Sequence, residues 1–223
     1  LTAAGLADPL ANPRLRVTTV TGDPIADNDD WMQAPNAAEL ERLGYAPADP
    51  QEAALLLTLD PNVPYTVLVD GADAATGLAL VEILDPERTV AVNPRLINLS
   101  SRGWVGAGDD LLIGGLILGG GDAPRRILAR VLGPTLANAQ LGDPLLENPQ
   151  LTFTTLDGQV LAENDDWAQQ PDAAAIEATG LAPPDPREPA LLLNLEPHVP
   201  HTVLVRGVNG TTGLGLLEIL ELP

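Results

Sequence analysis

The chain has 223 residues, 31 acidic against 11 basic, and a formal net charge of −20. That balance argues against nucleic acid and anionic lipid surfaces as partners, since both require a basic footprint. There is no cysteine, so disulfides, thiolate metal sites and thiol catalysis are excluded, and every basic residue is arginine, so no lysine isopeptide crosslink can form. Aromatic residues make up only 3% of the chain, so any core must be built from Leu, Val, Ile and Ala.

One stretch occurs twice. Residues 12–84 align without a gap on residues 148–220, at an offset of 136. Asn28-Asp29-Asp30-Trp31 falls on Asn164-Asp165-Asp166-Trp167, and Glu82-Ile83-Leu84 on Glu218-Ile219-Leu220. The repeat predicts two domains, each long enough for its own core. Residues 1–86 form the first copy, and residues 87–223 the second. Residues 87–135 precede the second copy and have no counterpart before the first. The first copy is therefore expected to lack its leading strands. The chain begins with Leu and carries no signal peptide, which suggests a mature or excised piece of a longer precursor. Its longest apolar run, Leu111–Leu118, is too short to span a bilayer.

In chain order, Arg14–Thr21 alternates with period two and predicts a strand, returned at Ile25-Ala26. Leu151–Thr155 repeats it, and Asp157-Gly158 predicts a two-residue hairpin with both central residues at positive φ. Short helices are expected over Pro35–Leu43 and Pro171–Thr179, closed by Gly44 and Gly180. Pro-rich loops follow. Each copy then ends in three strands: Ala54–Leu59, Tyr65–Val69 and Leu78–Leu84, repeated as Ala190–Leu195, His201–Val205 and Leu214–Leu220. The segment between copies adds candidate strands Thr89–Val92, Arg95–Leu99, Leu111–Leu118 and Arg126–Leu132. Short strands at this spacing, with Pro and Gly turns, predict an all-β protein of two tandem antiparallel sandwiches, each with one short helix.

The order of hairpin, acidic turn and closing strands (Asn148 to Gly158, Ala162 to Trp167, Leu191 to Leu220) resembles the bacterial pre-peptidase C-terminal family. The resemblance implies small jelly-roll β-sandwiches appended to secreted proteins. Two features depart from that pattern: a longer helix and Pro-rich loop after the Trp, and the 87–135 segment. The stretches NLSSRGWVGAGDDLLIGG and RRILARVLGPTLA are similar to repeats of large secreted or surface bacterial proteins, which implies an exported, modular, non-enzymatic chain.

The acidic turns are the first candidate site. Asp27, Asn28, Asp29 and Asp30, and Glu163, Asn164, Asp165 and Asp166, pack oxygen ligands of the kind Ca²⁺ takes in sets of six to eight. The competing reading is a solvated turn whose Asn and Asp cap backbone amides. Glu52 and Glu188 either complete such a site or cap a turn. Trp31 and Trp167 are expected as core plugs. Trp104, in a Gly-rich stretch without a twin, is the better exposed binding contact. His198 and His201 have Asn62 and Tyr65 as twins, and no Ser–His–Asp arrangement can be built on both copies, so no catalytic residue is assigned.

The function expected is structural: an extracellular or cell-surface β-sandwich subunit of a filament or stalk. Strands from a neighbouring copy would complete its open first copy in a head-to-tail homopolymer. The alternative is a calcium-dependent or carbohydrate-binding accessory module of a secreted enzyme or adhesin.

Overall fold

A computed structural model describes residues 8–85, 96–139 and 144–223. The candidate strand Thr89–Val92 lies outside the described residues. The chain divides into two compact units, Leu1–Glu87 and Arg88–Pro223. Among the described residues it is all-β, with three antiparallel sheets and short helices. None of these helices is long and apolar enough to cross a membrane.

The second unit contains β4 (Asn98–Val105), β5 (Leu112–Ile117), β6 (Arg125–Leu132), β7 (Pro149–Thr155), β8 (Val160–Asn164), β9 (Ala190–Leu195), β10 (Pro200–Gly207) and β11 (Gly213–Glu221). They form two four-stranded sheets, ordered β5-β10-β7-β8 and β4-β11-β6-β9. Successive strands cross between the sheets everywhere except at the β7–β8 hairpin. Eight strands laid out in this way are a jelly roll, the double-sheet solution to the edge-strand problem. Period-two alternation fills the space between the sheets. Leu151 and Phe153 of β7, Val203 and Val205 of β10, Ile127 and Val131 of β6, and Leu217 and Ile219 of β11 are all buried there. A smaller cluster lies on the outer face, where Ile176 of α2 (Ala173–Ala178) covers Leu128 and Ala190. Strand β9 is thus covered on both faces, as its unbroken apolar run requires.

The first unit repeats half of this. Its β1 (Pro13–Thr19), β2 (Pro24–Asn28) and β3 (Tyr65–Gly71) form a sheet ordered β2-β1-β3, and α1 (Ala37–Leu43) follows the hairpin. The register is conserved between copies: Leu15 faces Asn28 and Val69, as Leu151 faces Asn164 and Val205. Residues 54–59 and 78–84, expected as strands, are not strands here. Their counterparts β9 and β11 pair through β6, which lies between them, and β4 closes the far edge of β11. Among the described residues of the first unit nothing stands in the place of β4, β5 or β6. The segments have strand-forming sequences but no ladder partner, and a strand is defined by its partner.

The hairpin turns also differ from expectation. Only the glycines, Gly22 and Gly158, take positive φ, at 89° and 87°. Both pairs shift register nearby, at Val17/Thr18 and Phe153/Thr154. The loop is therefore a longer turn ending in a left-handed glycine, with a bulge, rather than a two-residue turn. At the strand ends Gly71 and Gly207 admit no side chain: an added Cβ would lie 2.1 Å from the Ala75 carbonyl oxygen and 1.8 Å from that of Thr211.

The consequence is a difference in autonomy. The isolated second unit, residues 88–223, should unfold in urea in one cooperative transition and bind no hydrophobic dye. The full chain should bind dye under native conditions. Equal dye binding by the two would contradict this.

Candidate functional site

The acidic turns are held by their asparagines. Asn28 and Asn164 are buried, and the Oδ1 of each accepts the backbone N–H of Ala54 (3.0 Å) or Ala190 (2.9 Å). Each side chain thus ties the acidic turn to the start of the 54–59 segment or of β9, not to the following helix. Asn28 Nδ2 donates to the Asp30 carbonyl at 2.9 Å. The carboxylates around them serve local contacts. Asp30 and Asp166 accept from Gln33 (2.5 Å) and Gln169 (2.7 Å), Asp27 pairs with Arg14 at 2.6 Å, and Glu163 accepts the Thr152 hydroxyl at 2.9 Å. Asp29 is exposed and Asp165 half-buried. Among the described residues no three Asp, Glu or His side chains gather as a metal-binding group.

Trp31 is buried and donates its indole N–H to the Asp49 carbonyl at 3.2 Å. Trp167 packs against the cluster under α2. Trp104 is 49% exposed on the outer face of edge strand β4, across from Leu214. His201 is buried and tilts against Phe153, with ring centroids 5.3 Å apart. His198 takes φ +63° in its turn, as its twin Asn62 takes +61°. Asn12 and Asn148 immediately precede β1 and β7, and their carbonyls accept Ala72 and Val208 N–H.

Sequence reasoning left the role of Glu188 open. This carboxylate is fully buried between the closing strands and the turn after β6. Its Oε1 accepts the backbone N–H groups of Gly133 and Thr135, both at 2.8 Å, and its Oε2 accepts the Thr135 hydroxyl at 2.7 Å. Three donors satisfy a charge that would be costly to bury alone. In the preceding loop Arg187 hydrogen-bonds Asp185 through its side chain and backbone and holds that carboxyl below its ordinary range. This contribution to stability is present above the usual carboxylate range and is lost as pH falls through the lowered value.

A second acidic feature lines β11. Glu218 accepts Arg130 of β6 in a half-buried pair at 2.6 Å, and Arg130 also reaches the Leu181 carbonyl. Glu221 faces Arg125 at 3.5 Å. Strand β6 is therefore held by two backbone ladders, by its buried Ile127, Ala129 and Val131, by paired arginines, and by the Glu188 anchor beyond its end.

In the first unit the receiving half of this arrangement is present. Glu52, Glu82 and Asp85 occupy the places of Glu188, Glu218 and Glu221. Backbone bonds fix both receiving segments as in the second unit. Leu78 exchanges hydrogen bonds with Leu10 and Asp8, as Leu214 does with Leu146 and Pro144, and Trp31 N–H bonds the Glu52 carbonyl as Trp167 bonds that of Glu188. The apolar residues between these anchors are uncovered. Val81 is 43% exposed where Leu217 is 1%, Ile83 43% where Ile219 is 4%, and Leu59 43% where Leu195 is 5%. Covering the face would stabilise the unit by about 1 kcal/mol for each half-exposed aliphatic side chain. This open face is the candidate site. Comparison with models of protein families finds no match, and neither does comparison with curated proteins.

Replacing Glu188 with Ala should destabilise the second unit by roughly 2–4 kcal/mol in urea denaturation, because two backbone amides lose their acceptor. Asn164→Ala should cost about 1–2 kcal/mol. Trp104→Ala, at an exposed edge, should change stability by no more than about 0.5 kcal/mol.

Proposed function

We propose that the chain is a structural subunit of an extracellular assembly, a filament or surface stalk, built from jelly-roll repeats. Subunits join head to tail through the open first unit, and β-strand addition completes it. The observation that carries this reading is the contrast between two copies of one sequence, one closed by leading strands and one presenting the same receiving surface uncovered. Two further features support it. Among the described residues nothing pairs with the outer edge of β3, where β10 carries β5, and β5 is itself an uncharged edge strand with Ile113 and Ile117 exposed. Edges of this kind add strands from other chains. A contact between unlike ends of a subunit propagates into a filament wherever its rotation does not close a ring. The resemblance to bacterial pre-peptidase C-terminal modules and surface repeats supports export, and the net charge of −20 keeps free subunits soluble.

A second reading is a calcium-dependent or carbohydrate-binding accessory module, and the exposed indole of Trp104 on an outer sheet face favours its carbohydrate-binding form. A flat glycan array together with a calcium titration giving no heat would remove it.

Concentration series by light scattering and electron microscopy test the first reading. Oligomers should grow with concentration for the full chain and be absent for residues 88–223. A full chain that stays strictly monomeric at high concentration would overturn the assembly.

A further inference from the structure

We infer that the open face of the first unit is an acceptor for one strand of the β6 type, a segment with the sequence pattern of residues 125–132. This rests on the assembly reading and names the partner at its open site.

The second unit supplies the template. There β6 lies antiparallel to both neighbours, with Ala129 opposite Leu191 and Ile219, and Arg130 opposite Ala190 and Glu218. Carried across the repeat, the donated strand places its alanine between Leu55 and Ile83, and its arginine between Ala54 and Glu82. The inward positions of such a strand, like Ile127 and Val131, would cover Leu57, Val81 and Ile83. Charge agrees with shape. The acceptor presents Glu82 and Glu52, while the donor sequence Arg-Arg-Ile-Leu-Ala-Arg carries three of the eleven arginines within six residues. Glu52 meets the backbone amides that follow the strand, as Glu188 meets those of Gly133 and Thr135.

Residues 125–132 are the segment of this type in the sequence, and a peptide that carries them stands in for the donor.

The test uses the full chain and a labelled peptide of residues 122–139, with a scrambled peptide as control. Saturable binding is expected by fluorescence anisotropy, with new protection from hydrogen exchange at 54–59 and 78–84. Glu82→Arg in the chain should weaken binding at least tenfold, and the peptide change Arg130→Glu should restore most of it. Glu82 is exposed, so the substitution leaves the chain's folding undisturbed. Binding no tighter than the scrambled control, or protection at 190–195 and 213–221 instead, overturns the inference. So does indifference to both charge reversals. A chain that takes the peptide but never polymerises removes the assembly reading and leaves the acceptor. A chain that polymerises but ignores the peptide does the reverse.

Discussion

The structure depends on one central strand. Strand β6 supplies hydrogen-bond partners to β9 on one side and β11 on the other, and its inward side chains reach the middle of the core. Remove it, and two apolar segments lose their ladders together, because each satisfied its backbone groups through the same neighbour. The first unit shows this outcome. The sheet that never contained such a strand, β2-β1-β3, forms in full register. Among the described residues, the sheet that needed it does not form. A sandwich with one sheet assembled and the other reduced to tethered segments follows from the strand order of the jelly roll, not from weak strand-forming sequence in either segment.

The same logic explains why the closing segments stay positioned without pairing. Asn28 and the Leu78 backbone fix their starts through contacts made outside the missing ladder. The two copies share these anchors nearly bond for bond. The acceptor geometry is therefore prepared in advance, and the ordering cost of adding a strand falls mainly on the donor.

Much of this was legible in the residues. The gapless repeat carries one register into both copies, and the strands of the second unit fall within a few residues of their alternating patterns, save that β4 runs through Asn98–Val105 where the pattern marks Arg95–Leu99. The missing leading segment was visible as an alignment asymmetry. The fate of residues 54–59 and 78–84 was not visible, because period-two alternation reports what a segment prefers and carries no information on whether a neighbour arrives. The role of Glu188 was equally hidden. A Pro-rich loop that carries Asp185 and Glu188 reads as solvent-exposed, and the burial of Glu188 depends on amides 53 and 55 residues away in sequence. The contacts of Asn28 and Asn164 with the backbone N–H groups of Ala54 and Ala190 are hidden for the same reason, since each partner lies 26 residues away.

The Glu188 contact reaches further than its own stability. Two of its three partners are main-chain amides, which every residue except proline offers. A lock that reads the backbone tolerates drift in the side chains around it. Repeats descended from one ancestor could then diverge over most of their surface and still interchange leading segments. Such interchange would let a mixed array of unequal modules keep a common joint, with variety confined to the outer faces.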